Sequence, residues 1–284
     1  MKKLFKVFAM CLVVGGLLAA CSGGGQPADD KKADEPQKQE QQAESKVQAI
    51  KSKGELVIGM SADFPPFEFH KIKGGDDEII GFDVEMAKKI AEKLGVELKI
   101  SDMDFNLIVG ALKDGKVDLG ISGISKTPER EKEIDFSEPY YMADTMAVVK
   151  KDADSGITDV KSLEGKKIGA QMGSVQEEIA KSVADADVIA LESNLALIAQ
   201  LKTGALDTVF LEKPIAEQFV KQNDDLELAT DVAYKDEAGF SIGVQKGCED
   251  LLEVVDSVVK EGMQDGSFDE YMQDAIEQSG AMAE

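Results

Sequence analysis

From Leu56 onward the chain switches between two hydrophobic periods. Residues 56–60 are a short apolar run that empties into Ser61-Ala62-Asp63-Phe64-Pro65-Pro66-Phe67, the signature of a strand meeting a turn. Over residues 84–94, Ala87, Ile90, Ala91 and Leu94 recur at helical spacing and Gly95 follows, which predicts an amphipathic helix with a glycine stop. Residues 117–121 and 167–171 predict further strands, and a helix opens at Gly173-Ser174 and runs through Glu178 and Ile179. A strand over 240–244 and helices over 251–263 and 268–276 complete the pattern. Strands alternating with helices predict an α/β fold, with helices covering the sheet faces.

A repeat divides this pattern in two. Leu112-Lys113-Asp114-Gly115-Lys116-Val117-Asp118 recurs as Leu201-Lys202-Thr203-Gly204-Ala205-Leu206-Asp207. Each copy reads as a helix end, a glycine stop and a strand that opens with an aspartate. The first copy leads into Ser122-Gly123-Ile124-Ser125 and the second into Leu211-Glu212-Lys213-Pro214. Both loops therefore fall at the carboxyl end of a strand, where open α/β sheets bind ligands. Two similar lobes presenting those edges to each other would close on a small molecule. A chance likeness between two short helix–turn–strand units is the competing reading.

Composition narrows the classes of partner. At 284 residues, with 43% apolar residues, the chain has room for two lobes. Its net charge of −23 would repel nucleic acid and serves solubility. Residues 1–20 carry Lys2, Lys3 and Lys6, then an apolar run to Ala20, which is the pattern of an export signal. Cys21, directly after Leu18-Ala19-Ala20, resembles the acylated cysteine of a bacterial lipobox. An ordinary secretory signal with a chance cysteine is the alternative. Residues 21–46 are expected to be a lipidated cysteine and a disordered tether, rich in Gly, Gln, Lys, Asp, Glu and Pro. No other apolar run approaches the ~20 residues needed to span a bilayer. Cys11 would leave with the signal and Cys21 would carry lipid, leaving Cys248 without a disulfide partner, as a semi-buried structural residue.

Candidate chemistry centres on residues 117–141. The small residues Ser122, Gly123 and Ser125 leave main-chain N–H groups open to a guest. Five residues further on stands Arg130, the single arginine of the chain. Its planar fork grips a carboxylate in two parallel bonds, which lysine cannot do. A small anion such as an α-carboxylate fits this cradle; a solvated Arg130 paired with Glu129 or Glu131 fits the spacing equally well. The sequence has one histidine, His70, and no ligand spacing for zinc or calcium, so Asp83, Glu85 and His70 do not read as a metal or acid–base set. There is no phosphate-binding GxxxxGK[ST] loop and no nucleophile motif around Ser122, Ser125 or Ser174.

The motif Ser-Gly-Ile-Ser-Lys-Thr-Pro-Glu-Arg at 122–130, followed by Ile134-Asp135-Phe136-Ser137 and Pro139-Tyr140-Tyr141, is very similar to the central motif of polar-amino-acid solute-binding proteins of bacterial ABC importers. Gly81-Phe82-Asp83-Val84-Glu85-Met86, with Ile90, Ala91 and Leu94, resembles their N-terminal signature, and the likeness runs over residues 53–271. The resemblance implies a two-lobed periplasmic-binding-protein-like fold of type II: residues 47–145 plus 240–284 in lobe 1, 146–239 in lobe 2, hinge crossings near 142–147 and 238–242, and the ligand between the lobes. It implies a lipid-anchored extracytoplasmic monomer that binds a free amino acid, needs no cofactor, catalyses nothing and delivers its ligand to the membrane subunits of an ABC permease. A prephenate-type dehydratase and a sensory receptor are the alternatives on the same fold.

The resemblance also implies the site. Arg130 with Ser122, Gly123 and Ser125 would hold the α-carboxylate, and Gly173 and Ser174 would offer a helix N-terminus to it. Glu212, where the family more often has Asp, would accept the α-ammonium. Phe64 and Phe105 would wall the side chain, whereas Phe67, Phe69 and Phe82 are expected in the core. Ser61 and Gln171 would line the far end. The family's receptors for basic amino acids often carry an acid at the position of Ser61, and an ammonium would lie there without a counter-charge. Arginine stacks and is weakly hydrated, glutamine needs only hydrogen bonds, and Asp63 is close enough in sequence to turn inward. Arginine and glutamine rank level, lysine below them and glutamate last.

Overall fold

The computed structural model describes residues 45–151, 156–235 and 237–280; the expected leader and tether, including Cys21, lie outside them. Helix α1 (Lys46–Lys53) starts on Ser45, whose hydroxyl accepts the N–H of Gln48. Strand β1 (Glu55–Met60) leads to β2 (Asp63–Phe64) and the hairpin of β3 (Glu68–Lys73) and β4 (Asp76–Ile80). Then come α2 (Phe82–Leu94), β5 (Glu97–Asp102), α3 (Phe105–Lys113), β6 (Leu119–Gly120), the single turn α4 (Pro128–Glu131) and β7 (Ile134–Phe136). The chain next enters a second sheet with β8 (Thr145–Lys150), β9 (Lys167–Gln171), α5 (Val175–Ser182), β10 (Asp187–Leu191), α6 (Asn194–Thr203), β11 (Thr208–Glu212), α7 (Lys213–Gln222) and β12 (Leu226–Tyr234). It returns with β13 (Gly243–Gln245) and ends in α8 (Glu249–Asp265) and α9 (Ser267–Gly280).

Two five-stranded sheets result, ordered β5-β1-β6-β13-β7 and β10-β9-β11-β8-β12. The orders match. In each, one strand (β1 or β9) lies parallel between two others (β5 and β6, or β10 and β11), and a further strand (β13 or β8) runs antiparallel beside β6 or β11. Parallel strands are covered on both faces by their crossover helices, so they are apolar throughout rather than alternating. β9 is buried on both faces from Ile168 to Gln171, whereas β1 buries Leu56 and then Ile58 to Met60 and leaves Glu55 and Val57 half-buried.

The strand expected over 117–121 is assigned only at Leu119–Gly120, yet its pairing is longer. Asp118 N–H donates to the Val57 carbonyl and Ile121 N–H to that of Gly59. Gly120 is there because α3 lies against it: a Cβ would come 2.9 Å from Ile108 Cγ2. Phe67, Phe69 and Phe82 are in the core, as expected. Helix α9 contacts both halves of the molecule, since Lys71 Nζ of β3 donates to Gln278 Oε1 and Gln222 Nε2 of α7 donates to the Ser279 carbonyl.

Candidate functional site

The loops that follow β6 and β9 face each other, and side chains cross between them. Arg130 sits in the turn α4, whose start is fixed by Thr127 accepting the Arg130 N–H at 3.3 Å and by Pro128. Its guanidinium donates to the Ser125 carbonyl at 2.6 Å and, across the cleft, to the Gly173 carbonyl at 2.9 Å. The same group lies 5.4 Å over the Phe105 ring, a cation–π distance. Glu131 pairs with Lys126 at 2.9 Å, so the acid next to Arg130 has its own cation. Asn106, next along from Phe105, donates to Met172 Sδ at 3.5 Å.

A second set of crossings gathers at Asp63, a residue noted in the sequence only for its nearness to Ser61. Asp63 Oδ2 accepts the backbone N–H of Asn194 at 2.6 Å, at the first residue of α6, where the helix dipole favours an anion. Its Oδ1 lies 3.4 Å from Gln171 Nε2, and 3.5 Å from both Ser61 Oγ and Asn194 Nδ2. Burial pushes the Asp63 carboxyl up, against hydrogen bonds from Asn194, Ser193 and Ser61 that hold it down. Ser61 and Gln171, expected at the far end of a pocket, thus meet at one carboxylate. Gln171 and Gly173 belong to one turn, so Asp63 and Arg130 grip the same short segment of lobe 2.

The expected anion cradle is more committed than the sequence suggested. Ser122 is buried; its hydroxyl donates to Glu68 Oε1 at 2.5 Å and accepts the N–H of Ser61 at 3.1 Å. The Gly123 N–H is shared between Asp83 Oδ2 at 3.3 Å and Tyr140 Oη at 3.2 Å. These two groups point into lobe 1. Gly123 has φ 56° and packs under Phe64, where a Cβ would come 2.6 Å from the ring, so only glycine fits. Phe64 is buried, with its ring centre 5.5 Å from that of Phe67 and 6.0 Å from that of Phe240. Ser125 is buried and bridges to Phe240.

On the other side, Ser174 caps α5 by accepting the Glu177 N–H at 3.1 Å. The Gly173 N–H donates to Glu177 Oε2 at 2.6 Å, and Lys181 together with that bond lowers the Glu177 carboxyl against a burial effect that raises it. Glu212 is buried at the end of β11 and is the N-cap of α7; its backbone pairs with Thr145, the first residue of β8. Thr145 Oγ1 in turn accepts Gln176 Nε2 at 2.9 Å, tying the crossing to α5.

Elsewhere the structure offers little chemistry. His70 sits between Asp77 and Asp102 at 2.9 and 3.2 Å; burial lowers its pKa, but these hydrogen bonds leave it raised overall. Glu85 pairs with Lys88 at 2.8 Å. Cys248 is half-buried and burial pushes its thiol up. Among the described residues no group of acids, histidines and cysteines is arranged to hold a metal, and no helix is long and apolar enough to cross a membrane.

Comparison with known proteins gives this geometry a context. The sequence profile of the bacterial extracellular solute-binding proteins, family 3, matches residues 56–278. The arginine-binding extracellular protein ArtP of Bacillus subtilis is 41% identical over 221 residues, covering 76% of this chain and 84% of ArtP. The ABC transporter glutamine-binding protein GlnH of the same organism is 29% identical over 286 residues, covering 99% of this chain and all of GlnH. Among solved structures, the amino acid ABC transporter substrate-binding protein AbpA of Streptococcus pneumoniae, bound to L-arginine, superposes with a TM-score of 0.79 and 41% identity, over 82% of this chain and 98% of AbpA.

Proposed function

The chain belongs to the bacterial extracellular solute-binding proteins, family 3, as an amino-acid-binding receptor of an ABC transporter, and from that premise we propose that the amino acid it captures is arginine. The observation that carries this choice is Asp63. The cleft contains a carboxylate that joins Ser61, Gln171 and the α6 N-terminus, and a guanidinium is the cation best shaped to take its place among planar hydrogen-bonding partners. A cationic guest would also favour the ionised Asp63 and so offset the effect of the burial that raises its pKa. ArtP and the arginine-bound AbpA support the same choice, and glutamine stands second through GlnH.

In this reading Arg130 holds the α-carboxylate and Glu212 receives the α-ammonium. Phe64 and Phe105 flank the side chain, Ser125, Gly173 and Ser174 complete the main-chain end, and Ser61 and Gln171 contact the guanidinium. Closure follows from contacts that exist only when the lobes meet, such as Arg130 to Gly173 and Asp63 to Asn194. The receptor acts by binding and release without turnover, as a monomer held outside the membrane through acylated Cys21. Calorimetry with the twenty amino acids tests the ligand: arginine is expected to bind tightest, and tighter binding of glutamate or a branched aliphatic rejects the pocket as described. Fatty-acid labelling that is lost in Cys21→Ala tests the anchor, and label that persists rejects it.

A further inference from the structure

Behind the ligand loop lie two acids to which the binding scheme gives no part. Glu68 is the first residue of β3 and Asp83 lies in the first turn of α2; both are completely buried, at 0% exposure. Glu68 Oε1 receives the Ser122 hydroxyl, and Asp83 Oδ2 receives the Tyr140 hydroxyl at 2.9 Å and the Gly123 N–H at 3.3 Å. They hold adjacent residues of one loop, Ser122 and Gly123, so both carboxyl groups lie behind the same turn. Their other oxygens, Glu68 Oε2 and Asp83 Oδ1, are buried and have no hydrogen-bond partner.

Two ionised carboxylates are acceptors only and cannot bond. One proton placed between the pair would give both remaining oxygens a partner. It belongs on Glu68, because Asp83 already accepts two donors, which favours its ionised form. We propose that Glu68 and Asp83 share one proton and act together as positioning residues for the ligand loop, orienting the Ser122 hydroxyl and the Gly123 N–H before any amino acid arrives.

The consequence is a polarity for the loop, and it rests on the amino-acid-receptor reading above. The Ser122 hydroxyl proton is committed to Glu68 and the Gly123 N–H to Asp83 and Tyr140. Ser122 can therefore meet a guest only with its oxygen, as an acceptor suited to an ammonium. The carboxylate end of the guest is left to Arg130 and Ser125. The ionisation behaviour agrees: burial raises both acids, Asp83 to about 7 and Glu68 well above its usual range, with the Asp83 charge and, more weakly, the Asp63 charge adding to the rise at Glu68. Tyr140, the other titratable group packed on the pair, is held protonated by burial and by both acids.

Glu68→Gln and Glu68→Leu separate the shared proton from simple packing. Glutamine can accept from Ser122 and donate to Asp83; leucine can do neither. Infrared spectra of the ligand-free wild type at about pH 8 are expected to show a neutral-carboxyl C=O stretch, shifted in D₂O and absent from Glu68→Gln. Calorimetry with L-arginine and L-glutamine is expected to find Glu68→Gln within about threefold of wild type and Glu68→Leu weaker by about tenfold or more. A carboxyl band that persists in Glu68→Gln overturns the proposal, as does loss of binding in Glu68→Gln equal to that in Glu68→Leu. Should the wild type bind neither amino acid, the ligand reading fails, and the infrared arm alone still decides whether the proton is shared.

Discussion

The two copies of the helix–glycine–strand repeat end in the same hydrogen bonds and then diverge. Asp118 Oδ2 accepts the Val57 N–H at 3.0 Å, and Asp207 Oδ2 accepts the Lys167 N–H at 2.8 Å. Each aspartate also donates its own N–H to the carbonyl of that residue, at 2.7 and 3.0 Å. In both sheets, then, the aspartate pins the start of β6 or β11 to the central parallel strand, β1 or β9. Past this point the first copy turns into a loop held from behind by Glu68, Asp83 and Tyr140. The second turns at once into α7 with Glu212 as its cap. The framework is duplicated; the chemistry was added separately at the carboxyl ends of the strands.

Four experiments press on that contrast. The largest effect is expected where the first copy's loop meets the ligand. Arg130→Ala should weaken arginine by about 10²–10⁴-fold, since stranding one member of a buried ion pair costs ~3–5 kcal/mol. Binding within tenfold of wild type in calorimetry would place the recognition elsewhere. Asp63→Asn comes next, and should weaken arginine about 10–100-fold, the worth of a charge-assisted bond at ~1.5–3 kcal/mol. Glutamine should be affected less, and equal losses for the two ligands would remove Asp63 from side-chain recognition.

The framework itself is tested by Asp118→Ala and Asp207→Ala in urea unfolding. Asp118 is buried and also pairs with Lys46 at 2.8 Å, whereas Asp207 is only half-buried. Losses of about 2 kcal/mol and about 1 kcal/mol are expected, in that order. The reverse order would mean that the two pins are not equivalent. The smallest effect is on pH dependence. Asp83 and Glu68 have folded pKa values raised above their unfolded ones, so the native state binds more protons than the unfolded chain. Their contribution to stability is fully present below about pH 4 and is lost as the pH rises through 7, and Glu68→Gln should flatten that decline. Identical urea midpoints against pH in mutant and wild type would show that the pair does not titrate in this range.

Much of this was visible in the chain. Helical spacing from Ala87 to Leu94 and the strand expected over 167–171 became α2 and β9, and both copies of the repeat became a helix end, a glycine and a strand. The acids behind the loop were not visible, for a physical reason. Alternation along a strand would send Glu68 to the opposite face from Phe67 and Phe69, and such a face usually meets solvent. Here α2, the 122–125 loop and Tyr140 cover that face, so Glu68 is as buried as its phenylalanine neighbours. Asp83, in the first turn of a helix, reads as an ordinary dipole partner until Gly123 is seen to approach it from forty residues away. Arg130 was found from its side-chain chemistry, but its bond to the Gly173 carbonyl depends on how the two lobes meet.

The order of the strands also sets a timetable for synthesis. The second sheet uses only residues 145–234, so all its strands are made before β13. The first sheet must wait: β7 pairs only with β13, which begins at Gly243. Long-range pairings of this kind form late, because a large loop must close before any contact rewards it. During elongation the lobe made first is thus expected to finish second, with the edges of β6 and β7 open until β13 arrives. Pulse proteolysis of released chains truncated near residue 240 should find the 145–234 segment protected and the N-terminal strands still cleavable.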